Sequence, residues 1–178
     1  MSFYEQLLKI LSLNWEDQIV IKRNDFLVTK GNISTQMYFV EEGSLRIFIN
    51  DEEEDHTIRF GYKNSLITAL DSFLTDKPTD FYIQALKKST LKVISKKRFN
   101  EVMQSSAENK KVWEQMLQSF VYQQIEREID LITFSPQKRF ERVLHRSPQL
   151  FQEIPLKYIA SYLRMTPETV SRILKTLD

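Results

Sequence analysis

The hydrophobic pattern changes its period along the chain, and each change marks a predicted element. Residues 2–11 gather Phe3 and three leucines on one side of a short amphipathic helix. From about Asp17 the apolar residues instead alternate with polar ones, which predicts short β-strands. The predicted strands cover residues 20–22, 26–29, 37–41, 44–49, 56–60, 81–86 and 90–95, and residues 65–73 are expected to form a short strand and a helical turn.

Glycines and acidic residues separate these strands. Gly31, Gly43 and Gly61 each fall in or beside a predicted turn, where a residue without Cβ is favoured. Five consecutive acids at 51–55 predict a solvated hairpin tip, and contiguous acids lack the spacing of a calcium loop. Several short strands closed by turns predict a small barrel or roll.

Helical periodicity returns after the strands. A long helix is predicted from about Glu108 to Ile132, with apolar residues on more than one face. A helix of ~24 residues spans ~36 Å, which is longer than a compact domain of this size needs. One face can lie on the roll while the other pairs with a second copy of the chain, and burial entirely within one chain is the alternative. Breaks at 135–136 and 147–148 flank a further helix over 136–146.

The C-terminal stretch predicts two short helices joined by a tight turn. The first begins at Leu156, and the turn is Arg164-Met165-Thr166. Thr166 can cap the second helix, and Pro167 suits its first position. Two helices across such a break match a helix-turn-helix, although a helical hairpin packed on a globular domain fits the spacing equally well. The apolar stripe predicted for the second helix is Val170, Ile173, Leu174 and Leu177.

The second helix leaves a polar face pointing outward. Arginine can form paired hydrogen bonds with guanine, and glutamate can accept from the cytosine amino group, so this face is equipped to read a DNA major groove. The candidate DNA-binding residues are Glu168, Thr169, Ser171, Arg172 and Lys175.

Composition excludes several other classes of protein. The chain has 178 residues, with 42% hydrophobic and 28% charged residues, which is typical of a globular protein. It has no apolar run of membrane-spanning length and no secretory signal, so a cytoplasmic location is expected. There is no cysteine, and we expect His56 and His145 to be ordinary surface residues. Since no nucleophile–base pair, metal-ligand set or phosphate loop is found, we expect neither an enzyme nor a bound metal or cofactor.

Charge is unevenly distributed. From Ser135 onward there are eight Lys and Arg residues against four acids, a net charge of +4. Because the whole chain has a net charge of +1, the first 134 residues carry −3. A basic end on an acidic body favours binding of a polyanion at that end.

Two groups of segments resemble one protein family. TPETVSRILKTL resembles the recognition helix of Crp/Fnr-type bacterial regulators, and IPLKYIASYL resembles the helix before it. TKGNISTQMYFVEEGSLRIFI, with LKVISKKRFNEVM behind it, resembles the cyclic-nucleotide-binding β-roll of the same family. The resemblance implies an α+β fold in three parts: a double-stranded β-roll over 1–104, a long dimerisation helix over 105–134 and a helix-turn-helix domain over 135–178.

The resemblance also implies a function. It implies a sequence-specific transcription regulator that binds double-stranded DNA as a homodimer, with RNA polymerase as a further candidate partner. The positions matching Glu168 and Arg172 contact bases in the family. Arg164 stands where the family usually has Gly, and a turn residue there often needs a positive φ. The chain stops at Asp178, so we expect no complete β-hairpin wing. The alternative function is a small-molecule sensor or protein-interaction module with a vestigial helix-turn-helix.

Residues 64–85 match the family's cyclic-nucleotide pocket. Aligning Tyr82 to Ala85 on the family's strand puts the phosphate-binding Arg at Thr79 or Asp80, and neither is basic. A buried phosphodiester without a paired cation is costly, so ordinary cAMP binding is expected to be lost, although another small-molecule effector would fit. The candidate effector-pocket residues are Asn64, Ser65, Leu66, Thr79, Asp80 and Gln124.

Overall fold

The computed structural model describes residues 2–51 and 53–177, without the side chain of Leu177. An N-terminal helix, a strand-rich region and a helical C-terminal half follow one another, as the periodicity predicts. The helices are α1 (Phe3–Ser12), α2 (Leu70–Thr75), α3 (Lys96–Gln104), α4 (Ala107–Ile132), α5 (Pro136–Arg146), α6 (Pro148–Glu153), α7 (Leu156–Leu163) and α8 (Pro167–Leu177). Among the described residues, no helix is both long and apolar enough to cross a membrane.

Eight strands form two antiparallel sheets of four strands each. The strands are β1 (Asp17–Ile21), β2 (Phe26–Val28), β3 (Gln36–Glu42), β4 (Ser44–Asn50), β5 (Asp55–Tyr62), β6 (Leu66–Ile67), β7 (Tyr82–Ala85) and β8 (Ser89–Ser95). One sheet has the order β1-β8-β3-β6 and the other β2-β7-β4-β5. Consecutive strands such as β3 and β4 therefore lie in different sheets, so the chain winds as a double-stranded roll. The predicted fold class is confirmed.

The inner faces of both sheets make the core of the roll. Val40, Leu45, Ile83 and Leu91 are fully buried there, and each belongs to a strand whose inward residues alternate with outward ones. The alternation therefore places one apolar set in the core, as the period of two predicts.

A second core fixes α4 to the end of the roll. Phe99 contacts Trp113 edge-on with ring centroids 4.8 Å apart, and Trp113 contacts Phe120 at 6.5 Å. Leu7 and Leu11 of α1 are fully buried in the same cluster. The N-terminal half of α4 is thus packed against its own chain.

One local prediction is wrong. Gly61 lies inside β5, opposite Leu45, and not in a turn. A Cβ at Gly61 would come within 2.8 Å of Ile67 Cδ1, so the close approach of β6 is what favours glycine there. The break at Ser147-Pro148 is real, but Pro148 also begins the short helix α6, because proline suits a first helical position.

Gly43 and Gly31 give a matched test of this geometry. Both have a positive φ, +93° and +88° respectively. A Cβ at Gly43 would lie 2.5 Å from the Lys88 carbonyl oxygen, whereas nothing lies within 4 Å of a Cβ at Gly31. Gly31→Ala should therefore lower the free energy of unfolding by roughly 1 kcal/mol through the strained φ alone. Gly43→Ala should cost about 1–3 kcal/mol more through overpacking. Urea unfolding checks this, and equal losses would contradict it.

Candidate nucleic-acid interface

The turn between α7 and α8 has the backbone conformation of a helix-turn-helix. Arg164 follows α7 with φ 54° and ψ 51°, which is the left-handed region. This conformation lets the Met165 amide donate to the Ala160 carbonyl at 3.0 Å, which closes the end of α7. Thr166 then accepts a 3.2 Å hydrogen bond from the Thr169 amide at the start of α8. The positive φ predicted at Arg164 is confirmed.

The two faces of α8 differ in burial. Val170 is fully buried and Ile173 is 8% exposed, so the predicted stripe does pack inward. The side chain of Leu177, predicted for the same stripe, lies outside the described part of the chain. The opposite face carries the exposed residues Glu168, Ser171, Arg172 and Lys175.

Thr169 differs from the other candidates. It is only half-exposed, and its hydroxyl lies 3.1 Å from the hydroxyl of Thr166. The prediction that it faces outward like the other four is therefore only partly right, because the cap of α8 engages its side chain.

The unit built from α5 to α8 rests on the roll through α7. Ser161 Oγ donates to the Asp55 carbonyl at 3.1 Å and accepts from the Thr57 amide at 3.2 Å. The Arg46 guanidinium of β4 lies over the Tyr158 ring at 4.8 Å and pairs with Asp55 at 2.6 Å. These contacts use the first helix of the motif, so the polar face of the second helix stays uncovered.

Four charged residues join the C-terminal end of α4 to α5, and we call them the hinge clamp: Glu126, Asp130, Arg142 and Arg146. Asp130 is fully buried and accepts from Arg142 Nε at 3.0 Å and from Arg146 Nη2. Glu126 accepts from Arg142 Nη2 at 3.1 Å and from Arg146 Nη1 at 3.3 Å. The hydrogen bond from Arg146 to Asp130 raises the pKa of that guanidinium, which favours its charged form.

The hinge clamp changes the interpretation of the basic C-terminal end. Arg142 and Arg146 are two of the eight cations counted there, and both are neutralised by carboxylates of α4. The sequence count therefore overstates the charge available to a polyanion. The exposed cations of α8 itself, Arg172 and Lys175, form no ion pair within the described residues.

The acidic hairpin tip reaches the turn of the motif. His56 pairs with Asp51 and lies 3.4 Å from Glu54, while Arg164 donates to His56 Nδ1 at 2.5 Å. The hydrogen bond from His56 lowers the pKa of Asp51. Because the His56 side chain is only 13% exposed, it is not the ordinary surface residue expected from the sequence. Glu52, part of the predicted tip, lies outside the described residues.

The candidate effector residues are divided among three places. Leu66 and Gln124 line an apolar cavity of about 130 Å³ beneath α4, together with Arg59. Asn64 and Ser65 line a neighbouring cleft, and the Asn64 carbonyl accepts from Tyr4 Oη at 2.6 Å.

The other two candidates lie against Asp71. Thr79 is 1% exposed and donates to the Asp71 carboxylate at 2.7 Å, and the Asp80 amide donates to the same carboxylate at 2.9 Å. Sequence reasoning missed Arg59, because a cation on a strand of alternating polarity looks like a solvent-facing residue. Within the described residues, no three His, Cys, Asp or Glu side chains gather in a way that could hold a metal ion.

Comparison with protein families identifies the roll. Residues 18–106, half of the chain, match the cyclic nucleotide-binding domain family. The chain belongs to that family. No curated protein sequence gives a significant match.

Solved structures share the fold of this cyclic nucleotide-binding domain and of the helices that follow it. FixK2 from Bradyrhizobium japonicum has a TM-score of 0.74 at 15% identity, covering 90% of this chain and 83% of its own. A CooA mutant from Carboxydothermus hydrogenoformans has a TM-score of 0.73 at 15% identity, with coverages of 96% and 83%. A CRP/FNR-family transcriptional regulator from Thermus thermophilus has a TM-score of 0.64 at 18% identity, with coverages of 90% and 85%. The resemblance to Crp/Fnr regulators is confirmed at the level of fold.

Substitutions at Arg164 test the strain in the turn. A residue with a Cβ in the left-handed region costs roughly 1–2 kcal/mol, and glycine does not carry this cost. Arg164→Gly and Arg164→Ala both remove the contact with His56. Their difference in stability therefore measures the cost of the left-handed backbone conformation alone. We expect the Gly variant to be about 1 kcal/mol more stable than the Ala variant, after allowance for the greater chain entropy of unfolded glycine. Thermal unfolding measures the difference, and equal midpoints would show that the turn is unstrained.

Proposed function

We propose that this protein is a homodimeric regulator that binds specific DNA sequences through α8. The observation that carries the proposal is the uncovered polar face of α8, with Glu168, Ser171, Arg172 and Lys175 exposed while Val170 and Ile173 hold the helix in place. The transcriptional regulator from Thermus thermophilus, which shares the fold, supports the same class of function.

The chemistry of this face suits a major groove. Arg172 and Glu168 are one helical turn apart, so both side chains can reach the edges of neighbouring base pairs. Ser171 and Lys175 lie on the same face and suit contacts with phosphates. Thr169, tied to the cap, is better placed to hold the helix end near the backbone of the DNA than to read a base.

The C-terminal half of α4 supports pairing with a second copy. Tyr122, Ile125, Ile129 and Ile132 are spaced three, four and three residues apart and are 64%, 48%, 36% and 75% exposed. That spacing is the heptad pattern of a two-helix seam, and the described chain leaves each of these side chains at least 36% exposed. Two α4 helices paired along this seam would present two copies of α8 to the same duplex, where half-sites lie ~34 Å apart.

The same proposal holds that cAMP is not the effector. Thr79 and Asp80 offer no cation to a cyclic phosphate. The Asp71 carboxylate already accepts hydrogen bonds from the Thr79 hydroxyl and from the Asp80 amide. A second acid beside a phosphate would repel it, so the loop that holds the phosphate in cAMP-binding relatives is unsuitable here.

Replacing Ile125 by Glu tests the dimer. A carboxylate on each helix at the centre of the seam would be desolvated opposite its own copy, so the dimer should dissociate. Sedimentation equilibrium should show twice the chain mass of 21.2 kDa for the wild type and the single-chain mass for Ile125→Glu. Leu13→Glu is the matched control, because Leu13 is 88% exposed, follows the end of α1 and is not part of the α4 seam. A wild type that is monomeric at all concentrations would refute the dimer.

Replacing Arg172 by Ala tests base reading. On a site selected from random DNA, the variant should lose ~1–3 kcal/mol of binding free energy and relax one base position. Arg98→Ala is the control, because Arg98 lies on α3 and is held by Asn14 and Glu101. Fluorescence anisotropy measures both variants. If Arg172→Ala binds every sequence as the wild type does, or if selection enriches no sequence, the alternative of a sensor with a vestigial motif is favoured.

A further inference from the structure

A cleft of about 350 Å³ lies where the roll, α4 and the α5–α8 unit meet. Arg59 and Phe60 of β5 form one wall, Gln123 and Arg127 of α4 form the second, and Tyr162 of α7 helps to form the third. The volume is within the range of small-molecule sites. Arg59 also lines the apolar cavity beneath α4. Arg127 and Tyr162 line the cleft but not that cavity.

Arg127 is buried without a carboxylate partner. It is 8% exposed, and its guanidinium lies 3.7 Å from the centroid of the Tyr162 ring. Nη2 donates to the Tyr162 carbonyl, whereas Nη1 is buried and has no hydrogen-bond partner among the described residues. Burial lowers the pKa of this guanidinium, because desolvation disfavours its charged form. Arg127 lines the cleft, and a buried donor that is left unpaired needs an acceptor.

Arg59 brings a second uncompensated cation to the same cleft. Its Nη1 lies 3.5 Å from Gln123 Oε1, and it forms no ion pair with any described residue. Burial lowers its pKa as well. Gln123, which lies beside Arg59, precedes Arg127 by one turn of α4. The guanidinium groups of Arg59 and Arg127 therefore approach the cleft from adjoining walls.

The nearby carboxylates are already engaged. Glu126 and Asp130 each accept hydrogen bonds from both Arg142 and Arg146. The two carboxylates and the two guanidinium groups of the hinge clamp cancel in charge. Arg59 and Arg127 therefore give the cleft a net positive charge. Apolar surface surrounds this charge, because Phe60, Leu150 and Tyr162 also line the cleft.

We propose that this cleft binds a small molecule that has an oxyanion group, either a phosphate ester or a carboxylate, on a planar apolar body. The oxyanion would accept from Arg127 Nη1 and from Arg59, and guanidinium groups match both kinds of oxyanion with paired donors. The body would lie against Phe60 and Tyr162. Because Tyr162 lies in the last turn of α7, two residues before Arg164, such a ligand connects the roll, α4 and the DNA-reading unit in one contact.

Calorimetry on the full chain tests the site with three defined probes: inorganic phosphate, phenyl phosphate and benzoate, each at constant ionic strength set with chloride. We expect saturable binding of at least one probe, and the phosphate and benzoate arms show which oxyanion is preferred. Arg127→Gln and Arg59→Gln should each weaken that binding by about ten-fold or more. Arg98→Gln, on the exposed face of α3, should leave it unchanged.

Two results would overturn the proposal: no saturation by any probe up to roughly 10 mM, or binding that survives unchanged in both cleft variants. If Arg127→Gln fails to fold, judged by circular dichroism, Arg59→Gln decides alone, because Arg59 is only half-buried and lies at the cleft wall. The experiment contains no DNA, so its failure and a failure of the DNA-binding proposal are separate results.

Discussion

The orientation of the α5–α8 unit relative to α4 depends on the hinge clamp. Asp130 is fully buried and accepts from Arg142 and Arg146, which come from the next helix. Charges taken out of water in this way add little net stability, but removing one partner commonly costs ~3–5 kcal/mol because the others are left unpaired. The clamp therefore favours the observed arrangement of α4 against α5, because an arrangement that separated them would leave Asp130 unpaired.

A second set of contacts decides which face of the unit stays free. The roll holds α7 through Ser161 and Tyr158, and α4 holds it through Arg127 on Tyr162. These contacts involve α7, and α8 in turn packs against α5 and α7 of its own unit. The cleft beside Tyr162 lies at the point where all three parts meet.

Local rules made much of the fold predictable from sequence. The change of period from alternating to helical locates the roll and the helices, because each element must bury one face. The positive φ at Arg164 was also predictable, because the chain resembles a family whose turn usually carries Gly at this position. The burial of Val170 and Ile173 and the exposure of Arg172 follow from the same spacing. For α8 the sequence pattern therefore determines which side faces solvent.

Tertiary structure alone decided which charges are free and which are paired. Arg142 and Arg146 look like DNA-binding cations in a count of the tail, but folding places them on Glu126 and Asp130. Arg59 and Arg127 read as unremarkable charged positions until β5 and α4 bring them to one cleft. The physical reason is that pairing and desolvation depend on distances between segments far apart in the chain, which no local spacing encodes. The sequence by itself determined the elements and their buried faces, and only the packing of those elements determined where unpaired charge is left.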